Sequence, residues 1–106
     1  MSNHRVPGKG WSASDRFNVS SDALIRRFKD DKLAVVHMKT RRTHVLNSTA
    51  AEIWKLAAAG SSRGEMLETL AKTYEVDQKQ LSNEINELLD MLSGEGLIHL
   101  QEKRDS

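Results

Sequence analysis

Apolar positions change their period once along this chain, close to residue 47. Before that point, residues 23–29 (Ala-Leu-Ile-Arg-Arg-Phe-Lys) and 33–39 (Leu-Ala-Val-Val-His-Met-Lys) are short runs rich in apolar and β-branched side chains. Asp30-Asp31-Lys32 separates them, and a second polar turn at Thr40-Arg41-Arg42 leads into Thr43–Leu46. Short runs joined by turn residues predict a three-stranded antiparallel meander. Beyond residue 47 the spacing becomes helical. Ala50, Ile53, Trp54 and Ala57 mark a first helix over about 48–59, stopped by Gly60. Leu67, Leu70, Ala71 and Tyr74 mark a second, and Leu81, Ile85, Leu88, Leu89 and Leu92 a third that ends at Gly94 and Gly96. Residues 97–100 either return as a short strand or pack across the core.

Each helix carries a start signal. Thr49 and Glu52 form a Thr-x-x-Glu capping box, Ser62 and Glu65 a second, and Asp77 with Gln80 a third. A cap contributes about 1 kcal/mol, so these residues set boundaries more than they add stability. The apolar stripes are narrow, so every helix must bury one face on another helix or on the sheet. The expected architecture is α+β, winged helix-turn-helix-like, with a three-stranded antiparallel sheet followed by three helices. It occupies residues 20–101. Residues 1–19 hold Pro7, Gly8, Gly10 and several serines, with Trp11 and Phe17 as their bulky apolar side chains, and read as a disordered arm. Residues 102–106 read as a disordered tail.

Composition narrows the function. A chain of 106 residues is one domain. It has no cysteine, which removes disulfides, thiolate metal sites and cysteine nucleophiles together. No apolar run is long enough to cross a membrane and no secretory signal precedes the domain, so a cytoplasmic location is expected. The net charge of +1 conceals a split. Residues 1–42 carry ten Lys/Arg against four Asp/Glu, and residues 43–106 carry six against eleven. Over the third helix Asp77, Glu84, Glu87 and Asp90 oppose Lys79 alone. A recognition helix needs clustered cations to reach phosphates, so an acidic third helix argues against DNA. A winged-helix DNA-binding transcriptional regulator is therefore the alternative reading, and no nucleic-acid partner is expected. His37 and His44 fall opposite each other on one sheet face if the turn pairs Met38 with Thr43. Without a cysteine or carboxylate pair nearby they complete no metal site. No nucleophile–base arrangement or glycine-rich phosphate loop is present, so neither catalysis nor a cofactor is expected.

The order Val45-Leu-Asn-x-Thr-Ala-x-x-Ile-Trp54, Gly60, Leu67-x-x-Leu70-Ala-x-x-Tyr74-x-Val-Asp77 and Leu88-Leu-x-x-Leu-x-x-x-Gly-Leu-Ile98 resembles the PqqD family. That family comprises the pyrroloquinoline quinone biosynthesis protein D and related RiPP recognition elements, and the resemblance covers about 80 residues, 23–100. It implies a peptide chaperone. Such a protein binds the leader of a ribosomally made precursor peptide as an added strand and presents it to a modifying enzyme, often a radical SAM protein. The leader would lie on Arg42, Thr43, His44, Val45 and Leu46, in a cleft bordered by Gln78, Leu81, Ser82, Ile85 and Leu89 of the third helix. Arg41 and Arg42 would steer acidic leader residues. Lys39-Thr-Arg-Arg42 stands where a Pro-Glu-Gly-type turn is expected of pyrroloquinoline quinone pathway members, which favours a relative serving another peptide. An exposed edge strand and a long arm also leave room for strand exchange in a homodimer.

Overall fold

The computed structural model describes residues 11–30 and 32–101. Elements follow in the order β1 (Phe17–Val19), β2 (Ala23–Arg27), β3 (Leu33–His37), β4 (Thr43–Leu46), α1 (Ser48–Ala58), α2 (Arg63–Thr73), α3 (Gln78–Gly94) and β5 (Ile98–Leu100). β2, β3 and β4 form the antiparallel meander, with β3 in the middle. One face of β3 supplies Leu33 and Val35 to the core, where Ile53 and Trp54 of α1, Met66 and Leu70 of α2 and the stripe of α3 meet them. This is the α+β arrangement that the change of period predicts.

The hairpin between β3 and β4 holds four loop residues. The His37 N–H donates to the Arg42 carbonyl at 2.9 Å and the Arg41 N–H donates to the His37 carbonyl at 2.7 Å. Arg41 closes the loop at φ +67°, a left-handed conformation that costs a side-chain-bearing residue about 1 kcal/mol. The His37 imidazole helps hold it, since Nδ1 accepts from the Lys39 N–H at 3.2 Å and the Thr40 N–H at 3.4 Å. The register corrects one expectation. His44 lies opposite Val35, and Thr43 opposite Val36, so His37 and His44 are not a facing pair. The loop, still four residues long, closes one residue earlier, on His37 and Arg42 rather than on Met38 and Thr43, and that moves the partner of His37 from residue 44 to residue 42.

Two of the three helix starts also differ. Asn47, not Thr49, caps α1: its Oδ1 accepts from the Ala50 N–H at 2.9 Å. Glu52 instead pairs with Lys55 at 3.3 Å. The Ser62–Glu65 box forms in both directions, whereas Asp77 makes no side-chain cap bond. The Ser62 N–H and the nearby Arg16 guanidinium hold the Glu65 carboxyl below the usual carboxylate range. Its small contribution is therefore present at neutral pH and fades as pH falls through that depressed value.

The largest correction concerns residues 11–19, expected to be part of a loose arm. They are packed. Carbonyls of Asp15 and Ala13 accept from the Arg63 N–H at 2.8 Å and the Gly64 N–H at 2.9 Å, donors that the first turn of α2 cannot satisfy internally. Gly64 permits this approach, because a Cβ there would meet the Ala13 carbonyl at 3.2 Å. Phe17 is 3 % exposed in the core, and Trp11 packs edge-on against it with ring centroids 5.3 Å apart. Phe17–Val19 pairs antiparallel with Ile98–Leu100 as a second, two-stranded sheet. The remainder of the expected arm, residues 1–10, and the tail 102–106 lie outside the described residues. Phe17→Ala is expected to cost about 3–5 kcal/mol in chemical denaturation, as for other buried aromatics, whereas a loose arm would give a change within about 0.5 kcal/mol.

Candidate functional site

β4 pairs with β3 on one side and ends the sheet on the other. The bond between the His37 N–H and the Arg42 carbonyl sets the alternation along this edge. Residues 42, 44 and 46 turn their backbone groups to β3, so the N–H and C=O of Thr43 and Val45 point away from it. Side chains alternate the other way. Leu46 is buried and His44 half-buried on the helix side, while Val45 stands 60 % exposed on the outer face.

Beside this edge a cleft of about 440 Å³ opens between the start of α1 and one flank of α3. Ala50, Ile53, Leu88 and Met91 supply its apolar surface, and Asn47, Thr49, Glu84 and Glu87 its polar lining. Its volume lies within the range of ordinary ligand pockets, roughly 300–1,000 Å³. At the far end, Glu95 ties β4 to the end of α3: Oε1 lies 3.2 Å from His44 Nε2, and Oε2 accepts from the Arg42 guanidinium at 3.4 Å. One carboxylate thus fixes the spacing of the two walls where the strand begins. The walls differ in charge. Arg41 and Arg42 stand at one end, and Glu84 and Glu87 line the helix side.

The structure brings Arg41, Arg42, Thr43, His44, Val45 and Leu46 together along the edge, but redistributes the expected helix residues. Leu81, Ile85 and Leu89 have 1 % exposure or less and belong to the core, so their side chains do not line the cleft. Ser82 faces α2, where it receives the Arg63 guanidinium together with Asn86. Gln78 is exposed at the first position of α3, outside the cleft lining. The reason is asymmetric packing. α2 covers the Ser82 and Asn86 flank of α3 and Leu89 lies in the core, while among the described residues the opposite flank faces only the start of α1 across the cleft. That open flank carries Glu84, Glu87, Leu88 and Met91, and sequence periodicity assigned Leu88 to the core. Burial also lowers the Arg63 guanidinium from its ordinary range, consistent with a structural post between α2 and α3.

The family model for coenzyme PQQ synthesis protein D (PqqD) matches residues 32–98, which is more than half of the 106-residue chain.

The chain belongs to the PqqD family.

Two solved structures share its fold. One is TbiB1 in complex with the TbiA(beta) leader peptide, with TM-score 0.70 and 22 % identity over 83 % of this chain and 99 % of that one. The other is lasso peptide synthetase B1 complexed with the leader peptide, with TM-score 0.71 and 20 % identity over 79 % and 98 %. Comparison with curated protein sequences gives no significant match. Among the described residues of this PqqD-family chain, no cluster of three or more His, Asp or Glu could hold a metal ion, and no helix is long and apolar enough to cross a membrane.

The exchanged roles of Leu88 and Leu89 are testable by stability. Leu89→Ala is expected to cost about 2–5 kcal/mol, as a core truncation. Leu88→Ser, at a half-buried cleft position, is expected to cost about 1 kcal/mol or less. Urea denaturation of the two variants separates them.

Proposed function

We propose that this PqqD-family chain binds the leader segment of a ribosomally made precursor peptide as a fourth strand on β4, and presents the peptide to a modifying enzyme. The observation that carries this reading is that the Thr43 and Val45 backbone groups, unpaired among the described residues, lead into a half-apolar cleft that opens at Asn47, where β4 ends, along α3. The two solved structures of the same fold are complexes with leader peptides, which supports it. The chain's own role is binding, not catalysis. A radical SAM protein is the expected class of enzyme partner.

Energetics divide the work between backbone and side chains. Thr43 and Val45 offer four ladder bonds, each worth about 0.5–1.5 kcal/mol net. Micromolar affinity requires about 8 kcal/mol after the cost of ordering the peptide. The ladder alone falls short. An apolar leader side chain seated against Ile53, Leu88 and Met91 would add about 1.5–3 kcal/mol. In a strand added to β4, alternate residues would enter the cleft while the others extend the outer face beside Val45. Charge adds selectivity: an acidic leader residue suits the Arg41–Arg42 end, and a basic or polar one suits Glu84 and Glu87.

Titration of isotope-labelled protein with candidate leader peptides is expected to shift the amides of Thr43–Leu46, Ala50, Leu88 and Met91. A short DNA duplex in parallel is expected to leave them still. Shifts from DNA at α3, with every peptide silent, would sink the reading. The double variant Arg41→Glu/Arg42→Glu is expected to slow association with an acidic leader by roughly tenfold at low salt and to flatten its salt dependence. Stopped-flow fluorescence would measure it.

A further inference from the structure

The sheet has a second open edge. Phe28 N–H donates to the Lys32 carbonyl at 2.9 Å, and Met38 N–H to the Asp22 carbonyl at 2.8 Å, so residues 22, 24, 26 and 28 face β3. The alternating residues Ala23, Ile25 and Arg27 turn their backbone groups outward. The Ala23 N–H is used locally by the Ser20 carbonyl at 3.1 Å, which leaves Ile25 and Arg27 as the outward donors with no backbone partner among the described residues. A groove of about 360 Å³ runs beside them, walled by Leu33, by Trp54 and Ala58 of α1 and by Ala59, which follows that helix. A smaller hollow of about 140 Å³ shares Arg27, Leu33 and Lys55 with it and adds Phe28, which is half exposed.

Charge selects the occupant. Arg26, Arg27, Lys29 and Lys32 stand at this end of the sheet against Asp30 and Asp31 of the intervening turn segment, an excess of two cations, and none of the four enters an ion pair among the described residues. Lys55, paired with Glu52 at 3.3 Å, adds a fifth cation beside the groove. A second copy docking edge to edge would bring two such clusters together, and like charges oppose that. Residues 1–10, with Arg5 and Lys9 and no carboxylate, suit the edge no better. We propose that β2 is a second strand-accepting edge, taking an extended, acidic segment of a partner protein whose apolar side chains enter the groove beside Ile25 and Trp54. β2 and β4 are opposite edges of one sheet, so this site stays open whether or not β4 is occupied, and the proposal does not rest on the leader reading.

The test uses the full chain, isotope-labelled, and two acetylated heptapeptides, one alternating Glu with Val and the other Lys with Val. The acidic peptide is expected to shift the amides of Ile25, Arg27, Ala58 and Ala59, whether or not it also shifts Thr43 and Val45 at the basic end of β4. The basic peptide is expected to be silent. Arg27→Glu/Lys55→Glu should weaken binding of the acidic peptide at least tenfold. Ile25→Pro removes an outward N–H without touching a bond to β3, and should abolish it. Equal response to both peptides, shifts confined to β4, no response at all, or concerted shifts of residues 1–10 that mark the chain's own segment leaving this edge would each overturn the proposal.

Discussion

β3 is the one strand of the meander with hydrogen-bonding partners on both sides, and the organisation of the sheet hangs on it. Its Val35 side chain has no exposure and its Leu33 almost none, so the strand is fixed to the helices by burial and to its neighbours by two ladders. β2 and β4 hold their places through β3, and among the described residues their outer edges are unpaired. An unpaired edge invites association. Here each edge lies beside a groove against α1 or α3, so backbone pairing and side-chain burial are offered at the same place.

The cleft beside β4 exists because α3 is packed on one flank only. α2 and the Arg63 guanidinium occupy the side of Ser82 and Asn86, and among the described residues nothing equivalent covers Glu84, Glu87, Leu88 and Met91. A fully surrounded α3 would bury those four residues or require them to be apolar. Two glutamates and two large apolar residues on one strip are what a surface wants when it must stay solvated alone and still reward a visiting side chain. Glu95 then sets the mouth, since a single carboxylate reaches both Arg42 and His44.

Much of this was legible in the sequence. Turn chemistry and the change of period place β2, β3, β4 and the three helices within a residue or two of their observed bounds, and the Leu-Asn-x-Thr-Ala-x-x-Ile-Trp segment points to the family. Other features, three of them instructive, were not legible. The cap of α1 passed from Thr49 to Asn47 because three consecutive residues are competent caps, and only the backbone decides among them. Leu88 and Leu89 exchanged roles because periodicity gives the axis of a stripe but not which flank a neighbouring helix covers. β1 was missed because three residues are too few to show alternation. The folding of residues 11–19 instead depends on long-range partners: the donors at the start of α2, the space for Phe17, and β5.

The order β2-β3-β4 also fixes a length. Neighbouring strands lie about 4.8 Å apart, so strands added outside β2 and outside β4 would be separated by four such steps, about 19 Å. Extended chain advances about 3.3 Å per residue, so roughly six residues span that gap. Two segments seated on the opposite edges would thus be held at a defined short reach by a rigid spacer three strands wide. Tethering of that kind raises the effective concentration of one partner at the other without any contact between them.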